Sequence, residues 1–157
     1  MKIACFGRRY MFSACHRLHA HELSEEANRT VYGKCNNPHG HGHNYVLEVM
    51  VRGAVSGETG MVINMADIDE QVSRLILDRF DHSNLNLDPF FVNRVPTTEN
   101  LCITLFELLS PAIEGSGEDS IDGAIEGATL ERVRVEETEN NFFEYAGSRD
   151  AEGIKIN

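Results

Sequence analysis

The histidines of this chain carry most of its chemistry, and they are clustered. Six of the seven (His16, His19, His21, His39, His41 and His43) fall within one short stretch, and the seventh is His82. Such density points to a metal site or a proton-transfer site. His41-Gly42-His43 heads an alternating apolar run. On an extended strand, residues two apart face the same side, so both imidazoles can reach one ion. His16 ends another strand-like run and adds a third nitrogen if the two strands are neighbours. Three imidazoles leave one tetrahedral position open, the pattern of a catalytic zinc. Such an ion acts as a Lewis acid on a substrate oxygen. The turn Asn36-Asn37-Pro38-His39-Gly40 breaks the strand before His39 and excludes it, while His19 and His21 read as exposed loop residues.

Three other groups complete the reactive inventory. Cys35 lies in a polar loop ahead of His41, and a thiolate near a cation serves as base, nucleophile or ligand. Cys5, Cys15 and Cys102 read as inert thiols. Asp81-His82 is a carboxylate–imidazole pair able to shuttle a proton, although neighbours in extended chain do not easily bond side chain to side chain. Glu137 shares a strand face with Val133 and Val135. In a pocket its carboxylate suits a ligand with two parallel N–H donors.

The elements that must position these groups follow from periodicity. Lys2 to Leu18 reads as a strand, Ala20 to Asn37 as a long loop, and His41 to Arg52 as a second strand. Met61 to Asn64 reads as the hairpin partner of the second strand, after a Gly- and Ser-rich turn. Ile68, Val72, Leu75, Ile76 and Phe80 form one stripe of a helix from Ala66 to Phe80. A second helix starts at Pro96-Thr97-Thr98-Glu99, buries Leu101, Leu105, Leu108 and Leu109, and ends at Pro111. Leu130 to Glu137 and Phe142 to Tyr145 form a last hairpin. The fold class is α+β: an antiparallel four-stranded sheet with two helices on one face.

Composition narrows the class of function. The chain has 157 residues, of which 41% are hydrophobic and 25% charged, and a net charge of −11. This suits one globular domain over residues 1–147, with 115–127 as an acidic, Gly-rich surface insertion and 148–157 as a flexible tail. The negative charge disfavours nucleic-acid binding. No apolar run approaches a membrane span. The N-terminus breaks into charge too early for a signal peptide, so the expected location is cytoplasmic with reduced cysteines.

These residues resemble the 6-pyruvoyltetrahydropterin synthase family. The resemblance runs from about Tyr10 to Tyr145. It is carried by Phe12-Ser13-Ala14-Cys15-His16-Arg17-Leu18-His19, by Gly33 through Tyr45, by Asp81-His82-Ser83-Asn84-Leu85, by Pro96 through Asn100 and by Glu137-Thr138-Glu139-Asn140-Asn141. It implies a tunnelling-type fold whose subunits join sheets into a barrel, commonly as homohexamers with sites at interfaces. It implies Zn²⁺ on His16, His41 and His43, Cys35 as general base, and Asp81 and His82 as a proton relay. Glu137 would anchor the pterin edge, helped by Thr97, Thr98 and Glu99. The implied reaction, of the tetrahydrobiopterin-type pathway, converts 7,8-dihydroneopterin triphosphate to 6-pyruvoyltetrahydropterin and releases triphosphate. The related 6-carboxytetrahydropterin synthases of the queuosine pathway are the alternative, and a non-catalytic pterin- or zinc-binding module is a second. Five residues separate Cys35 from His41, which resembles the pyruvoyl-type spacing. His39 departs from the family pattern. Zinc, Arg17 and Lys34 are the candidates to meet the anionic triphosphate.

Overall fold

A computed structural model describes residues 1–114 and 128–148 of the chain. Two long strands frame it. β1 (Ile3–His16) and β2 (His41–Ala54) pair antiparallel along their whole length, from Ile3 opposite Ala54 to His16 opposite His41. Their alternation sorts the faces: Phe12, Ala14, His16, Tyr45, Leu47, Val49 and Val51 are buried on one side.

The sheet has five strands in the order β3-β1-β2-β4-β5. β4 (Ala128–Thr138) runs antiparallel to β2, and β5 (Asn141–Tyr145) antiparallel to β4. The expectation of four antiparallel strands is therefore corrected. β3 (Ser83–Asn84) lies parallel to β1, with Ser83 opposite Ala14, so the sheet is mixed. Two residues carry no readable period, which hid this strand from the sequence. The hairpin partner expected at Met61 to Asn64 does not form either. β2 is already flanked by β1 and β4, so no edge remains for it. The segment turns instead, and the Asn64 side chain caps the next helix.

Two irregularities in β4 matter for the site. A register shift at Met50/Val51 places Leu130 and Val133 both inward. A second shift, between Glu136 and Thr138, leaves Glu137 without a ladder position opposite it on β5. Bulges of this kind re-aim a side chain.

The helices cover the buried face. α1 (Glu25–Tyr32) occupies what reads as loop; Ser24 caps it, and only Asn28 is buried, so it has no apolar stripe to betray it. α2 (Met65–Val72), a π-helical turn at Ser73–Leu77 and α3 (Asp78–Phe80) follow without a break, matching the helix expected over Ala66 to Phe80. Ile68, Val72, Ile76 and Phe80 are fully buried along it. Arg8 clamps α2 to β1 with two bonds to Asp69, of 2.5 and 2.6 Å, and the Tyr10 hydroxyl donates to the same carboxylate at 2.8 Å.

α4 (Thr98–Glu114) runs past Pro111 rather than ending there. Proline removes one donor, but the last turn packs Ile113 completely away from solvent, and that burial keeps it helical. The acidic segment at 115–127 and the tail beyond 148 lie outside the described residues. Among the described residues, no helix is long and apolar enough to cross a membrane.

Candidate functional site

The pairing of β1 and β2 delivers the three histidines to one place. His16 sits directly opposite His41, and Ala14 opposite His43. All three side chains therefore rise on one face at the sheet's end. Gly40 makes the approach possible: its φ is +72°, and a Cβ there would lie 2.9 Å from the His16 carbonyl oxygen. The rings stand edge to face, with centroids 4.6 Å (His16–His41), 4.8 Å (His41–His43) and 5.1 Å (His16–His43) apart. One ligand atom from each lies within 4.8 Å of the others.

The surroundings prepare these rings for a cation. The Nδ1–H of His16 donates to the Pro96 carbonyl at 2.7 Å, which leaves Nε2 with its lone pair free. His16 is 1% exposed, and its Nε2 is 3.1 Å from Nε2 of His41. Burial holds the pKa of His16 and of His43 below the usual imidazole value, so both are neutral at pH 7. His41 Nδ1 and His43 Nε2 are buried without a hydrogen-bond partner. Buried polar atoms without partners are costly. A divalent cation on the trio satisfies the His43 nitrogen, and the donor set is that of a three-histidine zinc site. The residues fit the ion.

A carboxylate faces the trio. Glu137 Oε1 is 3.6 Å from Nε2 of His43 and 3.8 Å from Nε2 of His16. Thr98 Oγ1 donates to Oε1 at 2.5 Å, and Asn141 Nδ2 donates to Oε2 at 2.8 Å. Burial acts to raise the Glu137 pKa, but these two bonds, together with the electrostatic pull of His43 and His16, hold the group below the usual carboxylate value. Tyr45 underlies the cluster, fully buried, and burial pushes its hydroxyl pKa up.

The other predicted residues fall into two places. Cys35 lies half-buried in the 3₁₀ turn Gly33–Asn36, and its carbonyl accepts from Leu18 N at 2.9 Å. That bond ties the thiol's turn to the chain just past His16. Asp81 and His82 sit elsewhere. Asp81 Oδ1 accepts from Ser13 N at 2.8 Å, and His82 N donates to Ser13 O at 2.6 Å. His82 takes φ +56°, and this left-handed turn brings its Nδ1 to 3.0 Å from Asp81 Oδ1. Adjacency thus permits the pair after all. The His82 side chain is 82% exposed and shares a shallow depression with Ser13, Cys15, Asn44 and His43.

Thr98 joins the site, whereas the Thr97 hydroxyl accepts from Asn100 N at 3.3 Å and so serves the start of α4. Glu99 is exposed. Sequence reasoning missed Asn141 and the Pro96 carbonyl. Asn141 stands four residues beyond Glu137 across the hairpin turn, and that spacing was the available signal.

Fold and site together define a class: one sheet backed by helices, whose first two strands bring three histidines to face a hydrogen-bonded carboxylate. The family model described as 6-pyruvoyl tetrahydropterin synthase matches residues 6–148. The 6-pyruvoyl tetrahydrobiopterin synthase of Poecilia reticulata is 42% identical over 147 residues, covering 93% of this chain and 92% of the relative. That of Homo sapiens is 40% identical over 142 residues, 90% of each chain. The solved structure of Caenorhabditis elegans 6-pyruvoyl tetrahydropterin synthase superimposes with a TM-score of 0.81 at 41% identity, covering 94% of this chain and 98% of the other. The chain belongs to the 6-pyruvoyl tetrahydropterin synthase family and is an enzyme of that family.

Proposed function

We propose that the chain is a zinc-dependent carbon–oxygen lyase that converts 7,8-dihydroneopterin triphosphate to 6-pyruvoyltetrahydropterin and releases triphosphate. The observation that carries this reading is the ionised Glu137 carboxylate standing 3.6 Å from His43 within the trihistidine cluster. An anchor for a heterocycle thereby lies beside a cation site. His16, His41 and His43 would hold the zinc, which when bound polarises the substrate's side-chain oxygens and acidifies the neighbouring C–H.

The chain's own residues supply the rest. Glu137 accepts the parallel N–H donors of the pterin edge, and Thr98 and Asn141 keep its oxygens in place. Thr97 and Glu99 flank Thr98 and would add further pterin contacts. Cys35 takes the substrate proton as a thiolate. Asp81 fixes the tautomer of His82, and the pair passes the proton onward. Because the His82 side chain is exposed, the pair would serve a neighbouring subunit's site. That supports a homo-oligomer, a hexamer by family resemblance, whose joined sheets form a barrel. We place the enzyme in the cytoplasm.

The test is turnover of dihydroneopterin triphosphate by the zinc-loaded protein, with product mass measured. Expected are triphosphate release, the mass of the pyruvoyl product, and loss of turnover with retained zinc in Cys35→Ala. The carboxy product would assign the queuosine-pathway reaction instead, and ligand binding without triphosphate release would make the protein a non-catalytic module.

A further inference from the structure

One buried polar group beside the site has no part in the reaction. Tyr45 follows His41 and His43 on the same face of β2, one step further from the strand's head, and is fully buried. Its ring stacks on Phe12 with centroids 5.2 Å apart, and it lies 5.5 Å from the ring of His43. A phenylalanine would fill this space with no hydroxyl to desolvate. A buried phenol needs a partner for its O–H.

The protons around the hydroxyl fix where its own proton goes. Tyr45 Oη is 3.5 Å from His16 Nδ1, but that nitrogen carries the proton donated to Pro96 O at 2.7 Å and cannot accept. The other partner is the Thr98 side chain, which is hydrogen-bonded to Tyr45 and is 3% exposed. Thr98 has one hydroxyl proton, and the Glu137 carboxylate, which can only accept, takes it at 2.5 Å. Thr98 Oγ1 therefore offers Tyr45 a lone pair, and Tyr45 donates. The result is a one-way chain from Tyr45 to Thr98 to Glu137, whose members polarise one another.

We propose that Tyr45 is a positioning residue for the pterin anchor: its hydroxyl orients Thr98 so that the threonine's one proton is committed to Glu137. The proposal rests on the lyase reading for what Glu137 holds, and on the hydrogen-bond chain for the rest. It divides the labour of the cluster. His16 keeps its bond to Pro96 without Tyr45, so the metal side is indifferent to the hydroxyl, whereas the carboxylate side feels its loss.

The experiment compares wild type, Tyr45→Phe, Thr98→Val and the double variant, all zinc-loaded, with 7,8-dihydroneopterin as the probe and its fluorescence as the signal. Expected is about fivefold weaker binding in Tyr45→Phe, the loss of one neutral hydrogen bond. Adding Tyr45→Phe to Thr98→Val should cost nothing further. Additive losses overturn the proposal, because Tyr45 then acts by a route other than Thr98. Unchanged binding in Tyr45→Phe overturns it too. In turnover the same variant should raise KM about fivefold and leave kcat in place; a fall in kcat alone overturns the proposal. Zinc affinity, by chelator competition, should stay within about twofold of wild type, which also shows that the variant is folded. A loss of zinc affinity of about tenfold or more assigns the hydroxyl to the metal and overturns the anchor role. Proton NMR supplies a readout that needs no pterin. The Thr98 hydroxyl proton, held on a carboxylate in a buried site, should exchange slowly enough to be seen and should move upfield in Tyr45→Phe. An unmoved or invisible signal overturns the proposal. A wild type that binds no pterin yet shows this shift sinks the lyase reading and leaves the positioning role standing.

Discussion

Glu137 Oε1 lies 3.6 Å from Nε2 of His43, closer than its 3.8 Å separation from Nε2 of His16. This nearness depends on Asn141, whose side chain holds the second carboxylate oxygen at 2.8 Å. Hydrogen bonds to charged groups contribute about 1.5–3 kcal/mol, so Asn141→Ala should lower kcat/KM by roughly 10- to 150-fold. The pH profile gives an independent check. Asn141 helps hold the Glu137 pKa down, so its removal raises that pKa. Activity that needs the ionised form is lost as pH falls through the pKa, and the acid limb should therefore move to higher pH. An acid limb that stays in place while kcat/KM drops would assign Asn141 to the hairpin turn rather than to the carboxylate.

Much of this site was legible before any coordinates, because a strand's alternation is a rigid rule. H-x-H at a strand head forces His41 and His43 to one side, and the length of β1 carries His16 to meet them. Glu137 was legible for the same reason, through Val133 and Val135. What stayed hidden depends on tertiary packing. β3 is two residues long, and the turn at Asp81 and His82 that leads into it is held by Ser13. α1 has no buried apolar side chain, and α4 outlasts Pro111 because Ile113 is buried beyond it. The contact of Asp81 with His82 depends on a left-handed residue that no spacing announces.

Metal removal should destabilise the protein without unfolding it. The trihistidine cluster stands at the end of a sheet whose core is formed separately by residues such as Leu47, Ile68, Leu105 and Leu109, all fully buried. A ligand that binds only the folded state adds about 4 kcal/mol at a thousand times its Kd. For a chain of this size that is about 10 °C in Tm. Calorimetry with and without chelator should show this gap, and His41→Ala should abolish it. Equal Tm values in the wild type with and without zinc would mean the trio holds no ion.

The four thiols should separate by reactivity. Cys102 is 1% exposed, its Sγ–H points at the Val133 carbonyl at 3.4 Å, and burial pushes its pKa up to about 12. Cys5 is exposed, and Cys15 and Cys35 are half-buried. Only the thiolate attacks a disulfide reagent. Titration of the native protein at mildly alkaline pH should label Cys5, Cys15 and Cys35, with Cys102 labelled only in denaturant. Rapid native labelling of Cys102, read by peptide mass, would contradict the packing of α4 against β4.

The clamp between α2 and the sheet sets an acid limit on stability. Arg8, and then Tyr10, hold the Asp69 pKa below its usual 3.8. A lowered folded-state pKa means the unfolded chain takes up the proton first. The contribution of Asp69 is therefore complete above about pH 3.8 and is lost as pH falls through the lower folded value. Urea midpoints of the wild type and Asp69→Asn should differ at pH 7 and converge below pH 3.8. Identical midpoints at neutral pH would remove the clamp from the account of stability.

Subunit mixing tests whether the site is shared. Cys35 is tied to the strand end that bears His16, whereas the exposed His82 is held through its backbone by Ser13. If both serve one reaction, they come from different copies of the chain. Cys35→Ala and His82→Ala homo-oligomers should each be nearly inactive. Dissociated and reassembled together, they should regain activity, because some sites then pair an intact Cys35 with an intact His82 from a neighbour. In a 1:1 mixture with random assembly, about a quarter of the sites are whole, so recovery should approach that share of wild-type turnover. A mixture that exchanges subunits by mass analysis yet stays inactive would confine the relay to one chain. The exposed His82 would then have to reach its own cluster by a movement of the turn that carries it.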